Sequence, residues 1–338
     1  MKANHVAFPG PFLLETGEIL EDIEITYHTL GTLNADSKVV WICHALTANS
    51  NAQDWWAGMV GDDKFFNGQD YFVVCANIIG SCYGATGPLS VNPRTETPYF
   101  GNFPYVTVRD MVAAHDKLRK YLGIERIYAI IGSSIGGFQA IEYALLMQDK
   151  IDHLVLIATN CRVTPWCTAF NEAQRMSVFS DKTYFDNVPE GGMEGMKAAR
   201  AIALLSYRSY DGYNSTQYEE NDDVIFAGRA ASYERYQGKK LADRFNAYSY
   251  VIMTKAFDSH NIGRLRGGVE NALASLKMKT LLIGIDSDIL FPTAELKFML
   301  NNIPNSQYEE LSSVFGHDGF LLESEQLSTI IRRFFYAG

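Results

Sequence analysis

One serine in the middle of the chain stands among glycines, between an apolar run and a helical pattern. The segment Gly132-Ser133-Ser134-Ile135-Gly136-Gly137 follows the β-prone residues 126–131 and precedes the helical pattern of residues 138–146. Gly-x-Ser-x-Gly at a strand-to-helix junction is typical of a nucleophile elbow, a tight turn that presents one hydroxyl above the end of a sheet. The context therefore predicts that Ser134 is a catalytic nucleophile.

A serine hydroxyl is a weak nucleophile unless an imidazole takes its proton and a carboxylate orients that imidazole. In folds that carry such an elbow, the carboxylate and then the histidine follow the serine along the chain. His317 lies in a glycine-flanked loop before the last helical pattern, where its ring can reach over a sheet. His153 directly precedes a strand, and His260 lies in a segment that interrupts the strand–helix alternation. We therefore predict His317 as the base.

Two aspartates compete for the role of the carboxylate. Asp286 and Asp288 both follow the apolar run of residues 280–285. Asp286 also suits a turn, in which a carboxylate accepts hydrogen bonds from nearby backbone amides. Asp288 leads into an apolar segment that would shield it, and a triad carboxylate works best when it is buried beside the imidazole. The sequence favours Asp288.

An oxyanion hole needs two backbone N–H groups that point at one site. The residue after the nucleophile, Ile135, supplies one of them, and the loop after an early strand supplies the other. Here that loop is residues 43–47, and Leu46 is the expected donor. His44 in the same loop is a second candidate base, although we interpret it as a hydrogen-bonding prop of the loop.

These residues need a scaffold of strands that alternate with helices. Apolar runs predict strands at residues 23–28, 39–43, 71–75, 154–157, 280–285 and 308–311. Amphipathic or capped segments predict helices at residues 108–122, 294–300 and 323–335. Such alternation indicates an α/β fold with a mainly parallel sheet, flanked by helices on both faces.

Residues 161–277 do not follow the alternation, because they are mostly helical in pattern and rich in aromatic residues. We predict one core domain of residues 1–160 and 278–338, with residues 161–277 inserted as a helical lid. An insertion directly after a core strand would lie above the carboxyl ends of the strands, where ligands bind in open α/β sheets. The alternative is a helical flank with no role in the site.

Composition restricts the possible partners and location. The net charge is −10, which repels nucleic acids and anionic membrane surfaces, so neither is an expected partner. The first residues contain no signal-peptide core, and no apolar run is long enough for a membrane span, so we expect a cytoplasmic protein. Five scattered cysteines fit reduced thiols, and the histidines show no zinc-binding spacing, so we expect no metal.

Seven segments, in order from about residue 28 to residue 322, resemble the homoserine O-acetyltransferases of methionine biosynthesis. The segments are residues 44–47, 54–56, 84–88, 103–110, 132–137, 244–250 and 316–318. The resemblance implies an α/β-hydrolase fold with a helical lid, acetyl-CoA as co-substrate without a permanently bound cofactor, and a homodimer built through the lid. It also implies a ping-pong reaction through an acetyl-serine. The elbow departs from the family at Ser133, usually glycine, and at Ile135, usually methionine.

The acceptor, L-homoserine, is a zwitterion and needs one cation and one anion in its site. Arg200 lies on a mostly apolar helical face, where an unpaired charge is costly and an anion is needed. By resemblance, Arg200 matches the arginine that binds the substrate carboxylate, and Asp318 matches the residue proposed to hold the ammonium. Tyr207 is a further candidate for the pocket wall. A solvated arginine and a loop-capping aspartate are the structural alternatives.

Other activities use the same scaffold. Homoserine O-succinyltransferases, serine O-acyltransferases and carboxylesterase-type serine hydrolases share the triad, and a non-catalytic binding protein would lack it. Every triad position here holds a competent residue, which disfavours the last of these. We favour the acetyl donor because no additional basic residue in the sequence near the Leu46 loop would receive a second carboxylate.

Overall fold

The computed structural model describes residues 1–226 and 228–336, and its strands and helices alternate over most of that length. The strands are β1 (Lys2–Phe8), β2 (Phe12–Leu13), β3 (Ile19–Leu20), β4 (Ile23–Leu30), β5 (Val39–Cys43), β6 (Phe72–Ala76), β7 (Val91–Asn92), β8 (Thr97–Pro98), β9 (Ile127–Ser133), β10 (Ile151–Ile157), β11 (Lys279–Ile285) and β12 (Ser306–Leu311). The helices are α1 (Ala52–Trp55), α2 (Val108–Tyr121), α3 (Ile135–Leu146), α4 (Pro165–Ser180), α5 (Met193–Tyr207), α6 (Tyr210–Gln217), α7 (Arg229–Ala242), α8 (Ala247–Asp258), α9 (Val269–Ala274), α10 (Thr293–Leu300), α11 (Gly319–Leu322) and α12 (Ser324–Tyr336).

In this part of the chain eight strands form one sheet in the order β1-β4-β6-β5-β9-β10-β11-β12. Strand β4 runs antiparallel to both β1 and β6, and the pairs from β6 through β12 are parallel. Strands β5 and β6 are buried at every residue, because helices and loops cover both faces of the parallel part. The prediction of a mainly parallel sheet flanked by helices is confirmed.

Helix α2 shows how local sequence sets an element's limits. Its N-terminus is a capping box, in which the Asp110 carboxylate accepts from the Thr107 N–H at 2.8 Å and the Thr107 hydroxyl accepts from the Asp110 N–H at 3.3 Å. The chain leaves the helix through Gly123, which has a φ of +69°. The predicted helix over residues 108–122 therefore differs from the structure by one residue at its end.

Helices α4 to α9 lie between β10 and β11, where the sequence predicts an insertion at residues 161–277. Helix α7 packs closely on α5, because a Cβ on Gly238 would lie 2.6 Å from the Lys197 carbonyl oxygen. Residue 227 of the predicted insertion and residues 337 and 338 of the predicted core lie outside the described residues. None of the described helices is both long and apolar enough to span a membrane.

Candidate active site

Ser134 occupies the junction of β9 and α3 with a φ of +56° and a ψ of −130°, a conformation that is uncommon for a residue with a side chain. Its N–H donates to the carbonyl oxygens of Ile157 and Ala158 at 3.1 and 3.2 Å. Its own carbonyl oxygen accepts from the Thr159 hydroxyl at 2.8 Å. The residues at the end of the neighbouring strand β10 thus hold the strained turn in place, and Ser134 itself is buried.

The glycines around Ser134 are required by close backbone contacts. A Cβ on Gly132 would lie 2.0 Å from the Gly136 carbonyl oxygen, and one on Gly136 would lie 2.2 Å from the Cys43 carbonyl oxygen. A Cβ on Gly137 would lie 2.5 Å from the side chain of Thr159. No side chain fits at these positions without displacing backbone or a buried threonine, which is the physical reason for the glycine spacing.

His317 and Asp288 form a buried hydrogen-bonded pair. The distance from His317 Nδ1 to Asp288 Oδ2 is 2.7 Å, and the two side chains are 4% and 0% exposed. The other carboxylate oxygen, Oδ1, accepts from the N–H groups of Leu290 and Phe291 at 2.8 and 3.0 Å. Because a carboxylate only accepts, Nδ1 of His317 carries the proton and Nε2 keeps a lone pair for another group.

Asp286 has a different environment. Its carboxylate accepts from the Ser312 hydroxyl at 2.9 Å and from the Ser313 N–H at 3.1 Å. These bonds tie the end of β11 to the chain that leaves β12, so the partners of Asp286 lie 26 and 27 positions away and are not the nearby turn amides that the sequence suggested. Of the two candidate aspartates, Asp288 is therefore the one in contact with the imidazole of His317.

The remaining candidate histidines are engaged elsewhere. His44 is fully buried, its Nδ1 donates to the Ala45 carbonyl oxygen at 2.9 Å, and burial lowers its pKa to about 4. His260 stacks on the Phe138 ring at 3.9 Å between centroids, and burial lowers its pKa to about 3. His153 donates to the Tyr128 carbonyl oxygen at 3.0 Å. These three rings are hydrogen-bonded structural groups, as the sequence analysis expected for His44.

The predicted site residues converge on one cavity of about 410 Å³. Six of them line it: Leu46, Ser134, Arg200, Tyr207, His317 and Asp318. The other two lie behind its wall, Ile135 as the first residue of α3 and Asp288 behind the imidazole. In the described residues no hydrogen bond joins the Ser134 hydroxyl to His317, a contact that is often long until substrate binds.

The loop that carries Leu46 is fixed by hydrogen bonds on both sides. Before Leu46, Gln139 Nε2 donates to the His44 carbonyl oxygen at 3.2 Å, and after it Arg244 donates to the Thr47 carbonyl oxygen at 2.6 Å. In the described part of the chain the N–H groups of Leu46 and Ile135 have no hydrogen-bond acceptor. Two free donors beside a buried serine fit the requirement of an oxyanion hole, which works best when its donors are already in place.

Arg200 reaches the cavity from α5. Its guanidinium carbon lies 5.5 Å from the centroid of the Tyr207 ring. Its Nε is buried without a hydrogen-bond partner, and no described carboxylate lies within ion-pair distance. Burial raises the pKa of Tyr207, so this phenol remains neutral beside the cation. A partly buried arginine without a carboxylate in ion-pair distance favours an anionic ligand in the cavity.

Asp318 lies beside an arginine. Its Oδ2 lies 3.3 Å from Nε of Arg208, although the geometry does not align a hydrogen bond. Arg208 also donates to the Tyr233 hydroxyl at 3.1 Å. The carboxylate of Glu234, which accepts from the Tyr213 hydroxyl, lies within electrostatic range of both Arg200 and Arg208. An ammonium ligand of Asp318 would therefore share the carboxylate with an arginine that sequence reasoning missed.

Two basic residues of the cavity were also missed. Lys240 and Arg244 line it together with the Leu46 loop and the carboxylate of Asp54. The expectation that no basic residue lies near this loop is therefore wrong for the folded chain. Arg244 contacts the loop but follows it by 197 positions in the sequence. Arg244 begins one of the seven segments of the resemblance, residues 244–250, which could have indicated its role. Lys240 lies in none of those segments.

Gly316 holds the turn that carries His317, and we expect its replacement to be severe. Its φ is +64°, and a Cβ would lie 2.7 Å from the Ser209 nitrogen and 2.8 Å from the Tyr207 carbonyl oxygen. Gly316→Ala should lower the free energy of unfolding by about 3 kcal/mol, through strain and overpacking together. Gly123→Ala is the control, because φ there is +69° but the space is open, and it should cost only about 1 kcal/mol. Urea unfolding of both variants measures the difference, and equal losses would contradict it.

Comparisons with known proteins bear on the fold and the family of this chain. A family model described as the alpha/beta hydrolase fold matches residues 38–324. Homoserine O-acetyltransferase of Cyclobacterium marinum is 46% identical over 325 residues, which cover 95% of this chain and 92% of that protein. A crystal structure of homoserine O-acetyltransferase from Bacillus anthracis superposes with a TM-score of 0.90 at 22% identity and covers 99% of this chain and 98% of that chain. The crystal structure of esterase E22 superposes with a TM-score of 0.89 at 24% identity and covers 99% of this chain and 100% of that chain.

The two solved structures establish the fold alone, because both are less than 25% identical to this chain and one of them is an esterase. The relative at 46% identity establishes the family as well as the fold, since the similarity extends over nearly the whole length of both proteins. By that similarity and by its family model, the chain belongs to the homoserine O-acetyltransferase family of α/β hydrolases.

Proposed function

We propose that this protein transfers the acetyl group of acetyl-CoA to the hydroxyl of L-homoserine through an acetyl-serine intermediate. The observation that carries the proposal is the shared cavity. An elbow serine, a histidine already paired with a buried carboxylate, and an arginine without a described carboxylate partner line or adjoin it. The serine, the histidine and its carboxylate supply acyl transfer, and the arginine suits an acceptor that carries a carboxylate.

In the first half-reaction, Nε2 of His317 takes the proton of the Ser134 hydroxyl as the oxygen attacks the thioester carbon. The N–H groups of Leu46 and Ile135 donate to the oxyanion of the tetrahedral intermediate. The carbon–sulfur bond then breaks, His317 returns the proton to the sulfur, and CoA leaves as a thiol. Asp288 keeps the imidazole in the required tautomer and stabilises its cationic form throughout.

In the second half-reaction, Arg200 binds the carboxylate of homoserine and Asp318 binds its ammonium group. His317 takes the proton of the homoserine hydroxyl as that oxygen attacks the acetyl carbon, and the bond to Ser134 breaks with return of the proton to Ser134. Water competes for the same intermediate, so the acceptor hydroxyl must be held close and the solvent excluded.

We further propose that residues 161–277 act as the lid over a core of residues 1–160 and 278–338, and that the protein is a cytoplasmic homodimer. The inserted helices supply Arg200, Tyr207 and Lys240 to the cavity, which supports the role of a lid. Large apolar side chains are exposed on this segment, among them Trp166, Met176, Phe185, Leu205, Tyr210 and Tyr218. Exposed apolar surface of this kind supports an interface between copies.

One assay that crosses two donors with two acceptors tests the function. Acetyl-CoA and succinyl-CoA are each supplied with L-homoserine and with L-serine, and the products are identified by mass spectrometry. We expect O-acetylhomoserine as the main product. O-succinylhomoserine or an O-acylserine as the main product would reassign the donor or the acceptor. Free acetate in large excess over any acylated amino acid would indicate a carboxylesterase-type hydrolase instead.

Arg200 provides a separate test of acceptor binding. Arg200→Gln removes the cation, and we expect the KM for homoserine to rise about 100-fold, because a charged hydrogen-bonded pair is worth roughly 3 kcal/mol. Steady-state kinetics at saturating acetyl-CoA measures this effect. Hydrolysis of p-nitrophenyl acetate, which needs no acceptor, should be unchanged.

Lys197→Gln is the matched control for Arg200→Gln, since Lys197 lies one turn earlier on α5 and pairs with Glu194 at 2.5 Å. It removes a cation from the same helix and should leave the KM for homoserine unchanged. Equal effects of the two substitutions on that KM would show that Arg200 acts only through the general charge of the helix.

A further inference from the structure

We propose that Lys240 and Arg244 bind the phosphate groups of CoA at the mouth of the catalytic cavity. The inference rests on the proposed function, since it assigns a place to the anionic part of the donor. Both residues line the same cavity as Ser134 and His317. They come from the end of α7 and from the segment directly after it.

Burial changes along the cavity in a way that separates its interior from its mouth. Ser134 and His317 are both buried, so the reacting groups lie deep. Arg200 is partly buried, whereas Lys240 and Arg244 are exposed. A ligand that reaches Ser134 with one end therefore passes the partly buried cation and leaves its other end beside the two exposed cations.

Neither exposed cation is neutralised by the protein. Within the described residues no carboxylate lies in ion-pair distance of Lys240 or Arg244, whereas the adjacent Lys239 pairs with Asp243 at 2.6 Å. Arg244 is held by its bonds to the Thr47 carbonyl oxygen and the Tyr83 hydroxyl, both uncharged. Asp54 is an exposed carboxylate in the same lining, so the mouth of the cavity carries two positive charges and one negative charge.

The packing of α7 on α5 explains why these cations lie near the catalytic residues. The absent side chain of Gly238 lets α7 approach the backbone of α5 at Lys197, one turn before Arg200. Lys240 follows Gly238 by two residues and so lies at the level of that close contact. The fold thereby places three cations along one path in a chain whose net charge is −10.

The chemistry of the donor matches this order of charges. CoA carries a diphosphate and a 3′-phosphate at one end and its thiol at the other, so the thioester can reach Ser134 while the phosphates stay in solvent. Lysine and arginine are the side chains that bind phosphate oxygens, arginine through its planar fork and lysine as a point charge. Arg200, deeper in the cavity, remains available for the carboxylate of the acceptor.

Calorimetric titration with CoA tests this inference without relying on turnover. Lys240→Ala should raise the Kd of CoA about fivefold, and Lys240→Glu about tenfold or more. Both increases in Kd should be smaller at high salt, because salt screens the charges. Lys239→Ala is the matched control, because it removes the neighbouring exposed lysine that already has a carboxylate partner, and it should leave the Kd unchanged.

A second probe separates phosphate binding from a general effect on the site. S-acetylpantetheine keeps the thioester but lacks the nucleotide phosphates, so its acetylation of Ser134 should be equally fast in wild type and in Lys240→Ala. Equal Kd values for CoA in wild type and Lys240→Ala would overturn the inference. So would a Lys240→Ala variant in which acetylation by S-acetylpantetheine slows by the same factor as CoA binding weakens. Failure to form O-acetylhomoserine would refute the proposed function alone, because CoA binding is measured independently.

Discussion

Ser134→Ala should abolish the acetyl-enzyme and lower kcat by at least about 10⁴-fold, the loss that follows removal of a triad nucleophile. The hydroxyl oxygen is the atom that takes the acetyl group, and of the two serines at the elbow of β9 and α3 only Ser134 lines the cavity. Rapid quenching after mixing with acetyl-CoA, followed by intact-protein mass spectrometry, should show an added acetyl group in wild type and none in the variant. Steady-state formation of O-acetylhomoserine gives the rate.

Ser133→Ala is the control for this experiment. Ser133 is also buried and lies next to Ser134, but it is the last residue of β9 and does not line the cavity. We expect that variant to keep the acetyl-enzyme and a kcat within about threefold of wild type, as for a substitution outside a catalytic feature. Acetylation of the Ser134→Ala protein at the wild-type rate would refute the mechanism.

Asp288→Asn should lower kcat by about 10⁴-fold, as the same change does in the trypsin-like triad on which that figure rests. The backbone supplies the reason here. The N–H groups of Leu290 and Phe291 point at Oδ1, so an asparagine keeps its carbonyl oxygen there and turns its NH₂ toward His317. Nδ1 must then accept, the proton moves to Nε2, and the imidazole can no longer take the serine proton.

Asp286→Asn is the matched control, since Asp286 also follows β11 but bonds Ser312 and Ser313. It should lower stability slightly and leave kcat near the wild-type value. Far-ultraviolet circular dichroism of both variants establishes that they are folded. A folded Asp288→Asn enzyme with undiminished kcat would show that the 2.7 Å contact between residues 288 and 317 is only structural.

The elbow was predictable from sequence because its cause is local. Gly132, Gly136 and Gly137 are required by atoms within a few residues or on the adjoining strands, so the requirement is visible as a motif. The meeting of Ser134, Asp288 and His317 at one site was predictable because parallel strands bring their carboxyl ends to one edge of a sheet. Burial on both faces likewise made β5, β6 and β11 visible as continuous apolar runs.

Strand β1 was not predicted because its residues carry no apolar pattern. Only Val6 of Lys2–Phe8 is buried, and the strand pairs with β4 at the edge of the sheet. An edge strand with exposed polar side chains is specified by backbone pairing, which leaves little trace in the sequence. The short strands β2, β3, β7 and β8 were missed for the same reason, since two residues cannot show an alternation.

The electrostatic surroundings of the site were also beyond sequence reasoning. Arg208 lies 110 positions before Asp318, and the pair meets only because the turn at Gly316 packs on the end of α5. Lys240 enters the cavity because α7 packs on α5, a contact between residues 41 apart at Gly238 and Lys197. Such pairings depend on tertiary packing, which no motif in either segment encodes.

The bond from Arg244 to the carbonyl oxygen of Thr47 has a consequence for recombination between relatives. It joins the inserted helical segment to the turn that follows β5, across 197 positions of the chain. A chimera that takes residues 161–277 from one parent and the surrounding sheet from another therefore keeps this bond only if the insert carries an arginine at position 244, because the acceptor is a backbone carbonyl that any residue supplies. An insert without that arginine would leave the turn that carries Leu46 without this hydrogen bond, even where every catalytic side chain is retained.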